Sequence, residues 1–191
     1  VILLLVNVFI SCGSEQLYNP KPRSFPKIDF PERNYVTFDK DYCSFTFQYA
    51  DYLDVQKDRF FFEGKPADEC WFDLKIPPFN GDLHCSYIPL RDRAHFDKMV
   101  NDAFTMVSKH NIKAQYRDDF PIEMEDVSGM LFELKGDVAS NFQFYLTDSL
   151  NHFFRGSLYF NSKVNPDSLA PIYSFVKADV LKVIETFEWT D

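Results

Sequence analysis

Apolar positions along this chain follow three patterns, and each predicts a different element. Val1–Ser11 is an almost unbroken apolar run that stops at Cys12, Gly13 and Ser14. Strict alternation then marks strands at Cys43–Tyr49, with Cys43, Phe45, Phe47 and Tyr49 on one face, at Cys70–Ile76 and at Asp82–Ile88. Pro77 to Gly81 predicts the turn between the last two. Over 92–110 the period lengthens. Phe96, Met99, Val100, Ala103, Phe104 and Val107 recur at helical spacing and predict an amphipathic helix. Strands return at Ile112–Phe120, Gly129–Lys135, Val138–Thr147 and Phe153–Phe160. A second helix is expected over 168–187, with Ile172, Phe175, Val176, Val180, Val183, Ile184 and Phe187 as its apolar stripe. Pro171 suits its first turn, and Asp167 or Ser168 its cap. Asp179 lies close to the stripe, where a carboxylate is unexpected.

The last two strands also predict a register. Phe142, Phe144 and Leu146 alternate on one, and Phe154, Leu158 and Phe160 on the next. Opposed residues of an antiparallel pair share a face. The five residues Asp148–His152 give the odd loop length that puts both apolar sets together. The opposite face then carries Gln143, Tyr145, Thr147, Phe153, Arg155, Ser157 and Tyr159. Strands, helix, strands, helix is the order of an α+β domain, a mainly antiparallel β-sheet with two main helices packed on it.

The N-terminal run bounds the cellular context. Eleven residues rise about 16 Å as a helix, roughly half a bilayer core, which suits the apolar region of a secretion signal rather than a span. A chain that begins at Val1 with no basic segment is expected to lack its true N-terminus. Ser11 before Cys12 gives the small residue and thiol that lipoprotein processing needs; Phe9 departs from the usual Leu. Cys12 is therefore the expected lipidation site, and acyl chains there tether the chain to a membrane. Residues 1–11 read as the signal peptide, 12–34 as a lipidated tether stiffened by Pro20, Pro22, Pro26 and Pro31, and 35–191 as one globular domain.

Composition narrows the function. A net charge of −9 argues against nucleic acid and against a polybasic hold on anionic lipid. An oxidising envelope compartment permits one disulfide among Cys43, Cys70 and Cys85. Cys85 shares a strand face with Leu83 and Tyr87 and reads as a small buried hydrophobe, so the expected pair is Cys43–Cys70. Three unpaired buried thiols are the alternative.

No catalytic signature is present: there is no nucleophile elbow and no His-Glu-x-x-His, and six glycines in all leave no Gly-rich phosphate cradle. No two of His84, His95, His110 and His152 are spaced as a metal pair on one element, and His110 ends the first helix, where positive charge complements the dipole. The mixed sheet face carries the binding chemistry instead. Tyr145 and Arg155 should be opposed, with Gln143, Ser157 and Tyr159 beside them and Asp148 and His152 at the loop rim. Tyr and Arg suit protein partners, so Gln143, Tyr145, Asp148, His152, Arg155 and Tyr159 form the candidate partner-binding set. The alternative is that the first helix covers this face. Pro20 to Arg23 reads as a docking peptide or a plain stiff linker.

These stretches resemble the gliding-motility lipoprotein GldD family of the Bacteroidetes. The resemblance rests on Pro20-Lys-Pro-Arg23, Cys43 to Phe47, Cys70-Trp71, Leu83 to Tyr87, Lys109-His110, Gln143 to Ser149, His152, Arg155-Gly156, Tyr159-Phe160, Asp167 to Pro171, Glu185 to Phe187 and Trp189, in order along nearly the whole mature chain. Cys85 and Ser44 depart from the family pattern, which usually has an apolar residue and Pro there. The resemblance implies a non-enzymatic, cofactor-free accessory lipoprotein of gliding motility, linked to type IX secretion and facing the periplasm, with other envelope proteins as partners. The strands and terminal helix also look like the Mog1/PsbP α/β/α sandwich. The alternative function is an envelope lipoprotein that binds a small ligand or a metal ion through His84, His110 or His152 with Asp148.

Overall fold

Alternating stretches become strands, and the two helical stripes become helices. A computed structural model describes residues 27–57, 70–161 and 166–190. The expectations for the signal run, Cys12, the stretch from Pro20 to Arg23, and the Asp167 and Ser168 side chains lie outside the described residues. The elements are β1 (Tyr35–Asp39), β2 (Phe45–Ala50), β3 (Asp54–Lys57), β4 (Phe72–Ile76), β5 (Gly81–Pro89), α1 (Arg93–Asn111), β6 (Ala114–Glu123), β7 (Ser128–Gly136), β8 (Phe142–Thr147), β9 (His152–Phe160), α2 (Pro166–Glu185) and β10 (Glu188–Trp189). Seven strands form one antiparallel sheet in the order β3-β4-β5-β9-β8-β7-β6, and β1-β2-β10 form a second. The expected α+β class is what the structure shows.

The large sheet is apolar on both faces, so both are covered. On one face Phe72, Leu74, Leu83, Phe144, Leu146, Phe154 and Leu158 meet Phe38, Phe45 and Phe47 of the small sheet and Val176, Val180, Val183 and Phe187 of the α2 region. On the other, Phe132, Leu134, Tyr145 and Phe153 meet Ala103 and Val107 of α1. The β8–β9 register is as expected, with Tyr145 opposite Arg155, Leu146 opposite Phe154, and Phe144 opposite Gly156. A Cβ at Gly156 would run into the Phe144 ring, so glycine there makes room for the aromatic.

α1 is capped where Asp92 accepts the His95 N–H at 2.8 Å. Helix α2 begins two residues before the expected start, so Pro171 lies inside it rather than in its first turn. The first four N–H groups of a helix have no intrahelical partner, so one proline just beyond them removes only an early bond. Cys43 and Cys70 form a disulfide that ties the approach to β2 to the approach to β4, their Cα atoms 5.6 Å apart. Cys85 is buried, and burial pushes its thiol well up from the usual range.

Asp179 is fully buried within α2, and its carboxylate is fully used. It accepts the Tyr35 hydroxyl at 2.8 Å and the Tyr52 hydroxyl at 2.5 Å, and pairs with Arg33 Nε at 2.9 Å. Arg33 also donates to the Phe175 carbonyl and lies 4.0 Å over the Phe175 ring. The carboxylate thus clamps the arm leading into β1, and the turn after β2, onto α2.

Candidate functional site

The six residues of the mixed face divide into three environments. Tyr145 is 7% exposed and stacks on Phe153 at 5.1 Å beneath α1. Here the helix does cover the face, so Tyr145 offers no surface to a partner. Gln143, at 1% exposure, is likewise interior. The cause is the α1 stripe itself, which is broad enough to need β7, β8 and β9 beneath it.

Asp148 and His152 sit at the β8–β9 loop, where they build the turn. The Asp148 carboxylate accepts the backbone N–H groups of Leu150, Asn151 and His152 at 2.8–2.9 Å. Burial alone would raise its pKa; these donors outweigh that and hold it below the usual carboxylate range. Ser149 takes a left-handed φ of 66°, and the Thr147 hydroxyl donates to the His152 carbonyl at 2.6 Å. His152 is buried, shares a hydrogen bond with the Tyr87 hydroxyl at 2.8 Å, and stacks on Trp189 at 4.8 Å. A cleft of about 420 Å³ opens beside this loop, lined among others by Glu125, Asp126, Leu150 and Trp189.

Arg155 and Tyr159 are half-buried where α1 ends its cover. Ser86 opposes Arg155, His84 opposes Ser157, and Asp82 opposes Tyr159, so all six face the α1 side. From α1, Met106 and His110 meet this edge. The Tyr159 ring stands between His84, at 5.2 Å, and His110, at 6.0 Å, and its hydroxyl is 3.4 Å from His110 Nε2. Arg155 donates to the Gln143 side-chain oxygen at 3.1 Å and touches the Met106 sulfur. Among the described residues no carboxylate forms an ion pair with Arg155. Burial lowers its pKa, with Tyr159 and Asp102 opposing that at longer range.

Asp73 and Asp82, beside this edge, are paired with other groups. Asp73 pairs with His84 and with Lys75 at 3.1 Å. Asp82 pairs with Lys75 at 2.9 Å and accepts from Asn161 at 2.6 Å. The hydrogen bond that His84 donates to the Asp73 carboxylate raises the His84 pKa against the effect of burial. His110 moves the other way: burial first, and then the Arg155 charge, lower its pKa. The dipole-complementing positive His110 expected from helix position is therefore not what this environment favours.

Spacing along the chain puts Arg155, Tyr159 and Gln143 on one face, but it gives no sign that His84 and His110 flank Tyr159. It also missed Asp73, Lys75 and Met106. Asp73 and Lys75 alternate on β4 opposite His84 and Asp82 on β5, and that opposition of charges was the available signal. His152 lies near the other end of β9, apart from the other two histidines. Among the described residues no three His, Cys, Asp or Glu side chains are grouped to hold a metal ion. No helix among them is long and apolar enough to cross a membrane.

A family model described as gliding motility lipoprotein GldD matches residues 15–189. The chain belongs to that family. It is therefore a gliding motility lipoprotein, associated by that membership with the cell envelope. Comparison with curated proteins gives no match. Among solved structures, the chain is similar to the solution structure of cyanobacterial PsbP from Synechocystis sp. PCC 6803. The TM-score is 0.45 at 12% identity, over 83% of this chain and 94% of that one.

Proposed function

We propose that the chain is a lipid-anchored, non-catalytic interaction component of the gliding motility and type IX secretion apparatus. Lipid on Cys12 holds an acidic domain at an envelope membrane, where it faces the periplasm and contacts other envelope proteins through the Arg155 and Tyr159 edge beside α1. The family match over 15–189 carries this reading. Arg155, Tyr159 and His84 reach solvent together, and Arg and Tyr are the residue types that dominate protein contacts.

The test is crosslinking in the native host, detergent extraction and mass spectrometry of what is recovered with the chain. Envelope proteins of the motility and secretion machinery should be recovered, and Arg155→Ala should weaken that recovery while the domain keeps its unfolding midpoint. Undiminished recovery with Arg155→Ala removes that edge as the contact. The other reading, a lipoprotein for a small ligand or metal ion, is favoured by stoichiometric metal in the purified protein.

A further inference from the structure

We propose that the C-terminal end of α1 docks on an anionic phospholipid leaflet, with Ile112 among the headgroups and Lys109 and Lys113 on their phosphates. This rests on the lipid-anchored reading and adds which end of the domain meets the bilayer.

The patch stands at one end of the large sheet. There β6 begins and β7 ends, with Tyr116 opposite Lys135. Helix α1 finishes at the same end, where His110 Nε2 lies 3.4 Å from the hydroxyl of Tyr159, near the close of β9. Ile112, which caps α1, is 85% exposed, and Tyr116 is 55% exposed. Beside Ile112 opens a cavity of about 530 Å³, walled by Lys109, His110, Lys113 and Asp137. Lys109, Lys113 and Lys135 are exposed, and among the described residues no carboxylate forms an ion pair with any of them. Positive charge thus surrounds an exposed apolar side chain, with Asp137 the one acid lining the cavity. Lysines beside an apolar residue suit a bilayer interface: the stems lie low while the ammonium groups stay at the phosphates.

The occupant follows from where the tether joins and from how charge is distributed. The arm leading into β1 lies at this same end. Phe30 stacks on Phe175 at 4.6 Å and sits 5.8 Å from Phe79, in the turn between β4 and β5. From that turn β5 starts, with Gly81 opposite Phe160, the last residue of β9. Lipid on Cys12, upstream of this arm, therefore draws this end of the domain towards the leaflet. The opposite end is acidic: Glu125, Asp126 and Asp148 line the cleft beside the β8–β9 loop. An anionic surface repels that end and attracts the lysines. Three lysines on a chain of net charge −9 are no polybasic hold. They orient a domain that acyl chains keep at the surface.

The test places the lipidated full-length chain on vesicles of phosphatidylcholine, alone or mixed with phosphatidylglycerol. Ile112→Cys carries an environment-sensitive dye in place of the isoleucine. Cys43 and Cys70 are bridged and Cys85 is buried, so the dye reads position 112. On the mixed vesicles its emission should shift to the blue. Nitroxide lipids should quench it at least two-fold more than the same dye at Leu150→Cys, an exposed site at the opposite end. Lys109→Glu with Lys113→Glu should remove that difference, and added salt or phosphatidylcholine alone should reduce it. Equal quenching at the two positions, or a difference that survives the lysine reversals, overturns the docking surface. Flotation of the same samples separates the two readings. Protein that floats while position 112 stays in water keeps the anchored reading and loses this one; lipidated protein that does not float overturns both.

Discussion

Replacing Asp179 with alanine removes the acceptor shared by Tyr52, Tyr35 and Arg33, and the structure apportions the loss. Hydrogen bonds to a charged group contribute about 1.5–3 kcal/mol each. Tyr52, half-buried and 2.5 Å from Oδ2, should deliver most of its share, about 2 kcal/mol. Tyr35 is 38% exposed, so water replaces much of its bond, leaving about 0.5–1 kcal/mol. The Arg33 side chain is 37% exposed, and its ion pair, discounted for screening, adds about 0–1 kcal/mol. The total for Asp179→Ala is about 2.5–4 kcal/mol, a large part of the 5–15 kcal/mol typical of a domain. Urea unfolding followed by tryptophan fluorescence measures it. The order should be Asp179→Ala, then Tyr52→Phe, then Tyr35→Phe. A double-mutant cycle of Tyr52→Phe with Asp179→Ala should show coupling of about 1 kcal/mol or more. A loss under about 1 kcal/mol for Asp179→Ala, or additive Tyr52 and Asp179 effects, refutes the clamp.

Other consequences follow from the same structure. Burial, then the Asp179 hydrogen bond and charge, push the Tyr52 pKa far above its ordinary 10.0, and burial with Glu133 does the same to Tyr173. The folded state keeps these protons while the unfolded chain loses them, so stability should fall as pH rises above 10.0, less steeply in Tyr52→Phe, as read by unfolding midpoints. Gly156→Ala sets a methyl against the enclosed Phe144 ring and should cost about 1–3 kcal/mol in urea unfolding; a neutral result shows the ring has room to shift. Opening the Cys43–Cys70 bond, 27 residues apart, by double serine substitution should cost about 3.5 kcal/mol on the loop-entropy estimate, and reductant should lower the midpoint of the wild-type chain alone.

How much of this was legible depended on the range of the interactions. The β8–β9 register was readable because an odd loop and two alternating strands fix it locally, and Tyr145 duly opposes Arg155. Both helix stripes were readable from spacing. β1, β3 and β10 were not: β1 buries only Phe38, β3 is four residues long, and β10 is two. Periodicity shows that a sheet has two faces but does not say how far a helix extends over one of them. That extent decides why Tyr145 is interior while Arg155 reaches the edge. His84, His110 and Tyr159 come from β5, α1 and β9, and no spacing along the chain announces their meeting. Asp179 stood out in sequence as a misplaced carboxylate. Its reason lay in Arg33, Tyr35 and Tyr52, more than 120 positions away.

Membrane attachment through Cys12 underlies the proposed role. Mass spectrometry of the mature N-terminus, on protein taken from fractionated envelopes of its native host, tests it most directly. The account predicts a first residue of Cys12 carrying diacylglycerol and acyl mass, in protein that sediments with membranes. A mature chain that stays in the soluble fraction, with no lipid mass on its first residue, contradicts it.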